Sequence, residues 1–77
     1  MKDYQREKIN HLLEVASNDR NKWSERHDKD GSDRAYHRYL ETIGYLNGMR
    51  EALLALGYSV GYTNDEAGIM KVYDKVE

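Results

Sequence analysis

Three histidines are the residues of this sequence whose type most readily holds a transition metal. His27 and His37 flank a stretch that is rich in aspartate, and imidazole nitrogen and carboxylate oxygen are both ordinary zinc ligands. His11 lies much earlier in the chain, and no two histidines are four residues apart, the spacing that places two ligands on one helix face. A scattered set of this kind is typical of surface and half-buried side chains, so we predict no metal site.

The segment Asp28-Lys29-Asp30-Gly31-Ser32 resembles the start of an EF-hand calcium loop, because an Asp-x-Asp-x-Ser pattern stands between two predicted helices. An EF-hand loop has glycine at its sixth position and a bidentate glutamate at its twelfth, and those positions are Asp33 and Tyr39 here. A calcium ion would therefore lose two oxygen ligands. We favour a solvated loop, with calcium binding at 28–33 as the alternative.

The residue types give little indication of a site for nucleophilic catalysis. The chain has no cysteine, which also excludes disulfides and thiolate zinc sites. None of its serines, threonines, tyrosines or lysines stands in an activating motif, and there is no glycine-rich phosphate loop. We predict that the protein is not an enzyme and uses no cofactor.

A group of cationic and aromatic side chains is the best candidate for a binding surface: Trp23, Arg34, Tyr36, Arg38 and Tyr39. Such residues are enriched at protein-interface hot spots, and they can also stack on bases or hold phosphates. The net charge of −2 lacks the positive excess that general nucleic-acid binding requires. We predict that these residues bind another protein. A nucleotide or nucleic-acid site is the alternative, and ordinary helix packing explains the same composition.

Small residues recur along one side of the second predicted helix, at Gly44, Gly48, Ala52 and Ala55. Each glycine inside a helix costs about 1 kcal/mol relative to alanine. In membrane helices, small residues four apart allow two backbones to approach closely. By analogy we predict that this side self-associates, most simply as a homodimer. The alternative is that the glycines are tolerated on a solvated face.

Helical periodicity places these candidates on two long helices. We predict helix 1 over about 3–27, a loop over 28–32 and helix 2 over about 33–56, folded as an antiparallel hairpin because the connection is short. Ser32 or Asp33 suits the N-cap of the second helix, and Gly57 suits a left-handed C-terminal cap. The polar stretch 17–21 predicts a bend or fraying in helix 1.

The last twenty residues predict a β-hairpin over 58–76, because Val, Ile and Tyr are frequent on both sides of a turn-like segment, Asn64-Asp65-Glu66-Ala67-Gly68. A short third helix is the alternative, since Thr63 and Glu66 have capping-box spacing. The predicted fold class is therefore α+β, mainly α, with a helical hairpin followed by a β-hairpin. We expect one domain over 1–77.

Composition also bounds the function. Ile, Leu and Val number only fourteen, so the core is thin and a chain of 77 residues should gain from a partner. No run approaches the ~20 apolar residues of a membrane span, and the N-terminus does not look like a secretion signal, so we expect a cytoplasmic protein. The short, Tyr-rich chain without Cys or Pro resembles small accessory proteins of phages and mobile elements. That resemblance implies a protein that binds and modulates or inhibits a host protein.

Overall fold

The computed structural model describes residues 1–73 as two long helices followed by a two-stranded antiparallel sheet. The elements are α1 (Asp3–Asp30), α2 (Asp33–Ala55), β1 (Ser59–Tyr62) and β2 (Met70–Tyr73). This confirms the predicted class, α+β and mainly α, and it confirms the β-hairpin in place of a third helix. Residues 74–76 of the predicted tail lie outside the described residues.

The connection between the helices is shorter than predicted, because α1 continues three residues further and only two residues remain between the helices. The predicted loop over 28–32 is thus wrong in its first part. No residue before Gly31 interrupts the helix; Gly31 takes a left-handed φ of 63°, and its N–H donates to the His27 carbonyl oxygen at 2.7 Å. Ser32 then caps α2, its Oγ accepting from the Ala35 N–H at 3.4 Å.

The C-terminus of α2 reverses the chain through the glycine expected there. Gly57 has a φ of 90°, and its N–H donates to the Leu54 carbonyl oxygen at 2.9 Å. The next N–H, of Tyr58, donates to the Leu53 carbonyl oxygen at 3.0 Å, which completes a Schellman motif. The chain therefore passes from α2 into β1 with almost no connecting segment.

The hydrophobic core lies between the two helices and the inner face of the sheet. Its buried members come from α1, α2 and β2: Leu13, Ala16, Leu46, Leu53, Met70 and Val72. Five half-buried side chains pack around them: Met1, Ile9, Met49, Tyr58 and Val60. In β2 the buried side chains alternate with the exposed Lys71 and Tyr73, the pattern of a strand with one face on a core. The sheet therefore covers only one side of the helical hairpin.

Polar side chains of α1 bond the backbone of β2 along the edge that does not pair with β1. The Met70 N–H donates to Ser17 Oγ at 3.0 Å, and the Val72 N–H donates to Asn10 Oδ1 at 2.8 Å. Ser17 is fully buried. A serine at a core position of a helix is thereby explained, because it satisfies a strand N–H that no other strand reaches.

The same face of α1 holds the loop between the strands. Arg20 Nη2 donates to the carbonyl oxygens of Ala67 and Gly68 at 3.0 and 2.9 Å, and Asn21 Nδ2 donates to that of Ala67 at 2.6 Å. The predicted fraying at 17–21 is wrong, because α1 runs through this stretch without a break, and the predicted bend stays a prediction. Three polar side chains of this stretch, those of Ser17, Arg20 and Asn21, bond the β-hairpin instead of competing for the helix's own backbone.

The loop itself is closed by a local network around a carboxylate. Asp65 Oδ1 accepts from Thr63 Oγ1 at 2.7 Å and from the Gly68 N–H at 3.2 Å. Thr63 Oγ1 also accepts from the Ile69 N–H at 2.9 Å. The hydrogen bond from Thr63, followed by that from Gly68, lowers the pKa of Asp65 below its ordinary value because both stabilise the charged form.

Replacing Ser17 with Ala should lower the free energy of unfolding by about 1–3 kcal/mol, because the Met70 N–H would be buried without an acceptor. Ser24→Ala, on the same helix but half-exposed, is the matched control and should change it by less than ~0.5 kcal/mol. Urea denaturation followed by circular dichroism measures both. Equal effects of the two substitutions would contradict the role given to Ser17.

The pKa of Asp65 should lie below that of an unfolded aspartate, measured by NMR titration of its carboxyl carbon. The folded state then binds the proton less tightly than the unfolded state, so the charged carboxylate adds stability at neutral pH. This contribution should decline as the pH falls through the ordinary Asp pKa toward the folded one. Asp65→Asn keeps the acceptor and should remove this part of the pH dependence. An ordinary titration midpoint for Asp65 would contradict the network.

Candidate protein-binding face

The side of the helical hairpin opposite the sheet carries large apolar side chains that no described residue covers. They are Tyr4, Leu12 and Val15 of α1 with Tyr45 and Leu56 at and beyond the C-terminal half of α2, and their exposed fractions are 64, 44, 47, 46 and 63%. We call this surface the helical face. Its apolar side chains lie on both helices, so it crosses the groove between them.

Two adjoining concave surfaces make the helical face continuous. One lies between the middle parts of the helices and is lined by His11, Leu12, Val15, Ala16, Asp19, Glu41, Thr42 and Tyr45. The other lies at the α1 N-terminus and is lined by Met1, Tyr4, Gln5, Lys8, Ile9, Leu12, Leu53, Leu56 and Tyr58. Leu12 lines both. The floor of the face is therefore the core itself, seen from the side that the sheet leaves open.

The neighbouring pairs Leu12-Leu13 and Val15-Ala16 explain why α1 has apolar side chains outside the core. Successive helical residues point about 100° apart, so both members of a pair cannot face the sheet. Leu13 and Ala16 are buried, which leaves Leu12 and Val15 on the open side. The width of this apolar stripe was visible in the sequence, yet sequence analysis did not identify the helical face.

At the tip of the hairpin a smaller concave surface is lined by Trp23, Arg26, Asp30, Ser32, Arg34 and Ala35. The Arg26 guanidinium carbon lies 5.7 Å from the centre of the Trp23 ring, and Lys22 Nζ lies 5.1 Å from it. These are distances at which a cation is attracted to an aromatic face. We call this cluster the basic tip.

The structure brings together only part of the predicted partner-binding set. Trp23 and Arg34 meet at the basic tip. Tyr36, two residues and thus about 200° further round α2 than Arg34, packs against the His27 ring at 5.2 Å. Tyr39 is half-buried. The fifth residue, Arg38, is exposed, and its Nη1 pairs with a carboxylate one turn further along, Glu41 Oε2, at 3.4 Å.

The predicted self-association residues Gly44, Gly48, Ala52 and Ala55 are all exposed. No atom outside the local backbone would lie within 4 Å of a Cβ added at Gly44 or at Gly48. The neighbours present within this chain therefore do not explain why these positions are glycine. Self-association through this side stays a prediction.

Between residues 1 and 73 there is no group of three His, Asp or Glu side chains close enough to hold an ion. Asp28 and Asp30 belong to the last turn of α1, so the EF-hand-like segment is helical where a calcium loop would have to be open. In the same range, neither helix has the length and apolar character needed to cross a bilayer.

Comparison with protein-family models, with curated proteins and with solved structures finds no match for this chain.

Two adjacent leucines test the helical face. Leu13→Ala should lower the free energy of unfolding by about 2–5 kcal/mol, because it opens a cavity in the core. Leu12→Ala removes the same atoms from a side chain that is 44% exposed and should cost less than ~1 kcal/mol. Urea denaturation of both variants gives the comparison. A loss at Leu12 as large as that at Leu13 would show that something covers it.

Proposed function

We propose that this protein is a small non-enzymatic interaction module that binds another protein through the helical face and thereby modulates it. The observation that supports this most is the continuous set of exposed apolar side chains on one side of the molecule. Contiguous apolar surface of this kind, with polar groups around it, is typical of protein-binding sites. A lone exposed leucine would mean little, whereas five large apolar side chains on one side are a cost to solubility.

The charges around the helical face indicate what kind of partner it fits. The basic tip offers Arg26 and Arg34 at one end of the helical hairpin, and both are exposed. Asp19 and Glu41 lie beside the apolar centre. A partner segment with an apolar stripe and acidic residues at one end would match this distribution, because complementary charge sets the orientation of docking. An amphipathic helix lying along the groove between α1 and α2 has that form.

Nucleotide or nucleic-acid binding by the Arg and Tyr cluster, the alternative, has less support. Arg38 is paired with Glu41, and Asp30 lies at the basic tip beside Arg26. Carboxylates at these positions reduce the positive potential that a phosphate would need. Tyr36 packs on the far side of α2 from Arg34, so the rings and cations do not form one stacking platform.

Site-specific photo-crosslinking tests the proposal in the cells from which the sequence derives. A benzophenone amino acid at Tyr45, on the helical face, should yield one discrete crosslinked protein. The same amino acid at Asn64, exposed in the loop between β1 and β2 on the sheet side of the helices, is the control and should yield none. Crosslinks of equal pattern from both positions, or from neither, would count against the helical face.

With the captured protein purified, Leu12→Glu should weaken its binding at least tenfold, which is about 1.4 kcal/mol, because a carboxylate would be buried against an apolar partner surface. Asn64→Glu introduces the same charge on the sheet side of the molecule and should leave the Kd unchanged. Isothermal calorimetry measures both. An unchanged Kd for Leu12→Glu would remove the helical face from the interface.

A further inference from the structure

The two edges of the β-hairpin differ in their hydrogen bonds to the rest of the molecule. On the β2 edge, the outward N–H groups of Met70 and Val72 donate to Ser17 and Asn10 of α1. That edge is therefore closed by helix side chains. The β1 edge has no equivalent helix side chains bonded to it, and its backbone groups can be located from the register alone.

The register pairs Val60 with Val72 and Tyr62 with Met70. In an antiparallel ladder, residues opposite each other alternate between pairs that exchange hydrogen bonds and pairs that do not. Since Met70 and Val72 direct their N–H groups away from β1, both pairs are of the second kind. The N–H and C=O groups of Val60 and Tyr62 must then point outward from the other edge.

Within residues 1–73 no hydrogen bond reaches these outward groups of Val60 and Tyr62. The β1 sequence, Ser59-Val60-Gly61-Tyr62, also carries no charge and no proline. Charged residues, especially Lys, and proline are the usual means by which proteins prevent an edge strand from pairing. The β1 edge therefore has backbone groups without partners in residues 1–73 and no charged residue or proline to prevent pairing.

We propose that two copies of this chain join through β1, antiparallel, to form a continuous four-stranded sheet with the two-fold axis at Gly61. Val60 of each copy then faces Tyr62 of the other, and the two pairs make four backbone hydrogen bonds. This is the register in which every outward group of β1 finds a partner. A second copy is the natural occupant, because a two-fold antiparallel pairing requires the same edge on both sides.

The position of Gly61 along the helices supports this choice. Gly61 pairs with Lys71, and Lys71 lies between Met70 and Val72, which are bonded to Ser17 and Asn10. Gly61 is therefore level with the middle of the α1 segment 10–17. Across the groove, Ala16 and Tyr45 line one concave surface, and Ile9 and Leu53 line the other. The same level on α2 therefore falls near residues 47–49.

A two-fold axis near residues 47–49 would relate the residues of α2 before this point to those after it in the second copy. Leu40 and Leu54 stand seven residues before and after Asn47 and are 45% and 42% exposed. Residues seven apart lie on the same side of a helix. In the dimer, Leu40 of one copy would meet Leu54 of the other, and Asn47 would meet its own copy near the axis. Two apolar side chains per copy would thereby leave solvent.

Adjacent strands are about 4.8 Å apart, whereas packed helices are usually 8–10 Å apart. A continuous sheet therefore draws the two α2 helices together, and the space around Gly44 and Gly48 allows that approach. The unpaired backbone groups of the β1 edge are the evidence for the dimer, and the exposed Gly44 and Gly48 are compatible with it.

Amide hydrogen exchange measured by NMR tests the sheet without any substitution. The N–H groups of Val60 and Tyr62 should exchange slowly at millimolar concentration and become fast as dilution dissociates the dimer. Those of Met70 and Val72 are internal controls, since α1 protects them in each copy. In a mixture of ¹³C-labelled and unlabelled chains, the close Hα atoms of the two Gly61 residues should give an intermolecular NOE. Val60 and Tyr62 amides that exchange fast at every concentration would overturn the proposal.

A matched pair of variants tests the same edge by light scattering after size-exclusion chromatography. Tyr62→Pro removes an outward N–H that makes no bond within the chain, and it should abolish the dimer while circular dichroism stays native. Tyr62→Val keeps that N–H and should remain dimeric. A monomeric wild type at high micromolar concentration, or a dimeric Tyr62→Pro, would overturn the proposal. Leu12→Glu should leave the dimer intact, which separates this edge from the helical face.

Discussion

The fold depends on the bonding of a strand edge by helix side chains. A two-stranded hairpin is barely stable alone in water, and this one has neither a third strand nor a disulfide in the described chain to hold it. Ser17 and Asn10 replace the missing strand on one edge by accepting the N–H groups of Met70 and Val72. Met70 and Val72 belong with Leu13 to the buried core, so the same strand makes the polar contacts and the apolar ones. Each helix turn that contributes an acceptor also contributes a core side chain next to it.

The hydrogen bonds from β2 to α1 hold the sheet on one side of the helical hairpin. The helical hairpin keeps its other side bare, and a chain with few aliphatic residues ends up with Leu12, Val15 and Tyr45 in solvent. A thin core and an exposed apolar face are therefore two results of one geometry. The two strands of the described residues cover one side of the helices and no more.

The elements were predictable from local signals, and their partnerships were not. Ser32 and Gly57 mark helix ends by chemistry that acts within a few residues, and both do so in the structure. The stretch 17–21 was misjudged because its short polar side chains weaken an isolated helix, whereas here they are bonded to residues some fifty positions away. The extent of α1 was underestimated for a related reason: a polar run was taken for a loop when only Gly31 could end the helix. The helical face needed knowledge of which side the sheet would occupy.

The long separation between bonded residues has a consequence for synthesis. Asn10 and Ser17 are made before the strand that bonds to them, which follows 62 and 53 positions later. A growing chain on the ribosome can form the helical hairpin, but its core stays open until β2 emerges. The core therefore closes only when β2 has been made, and a chain truncated before Met70 would remain a pair of helices with an exposed interior, open to proteolysis.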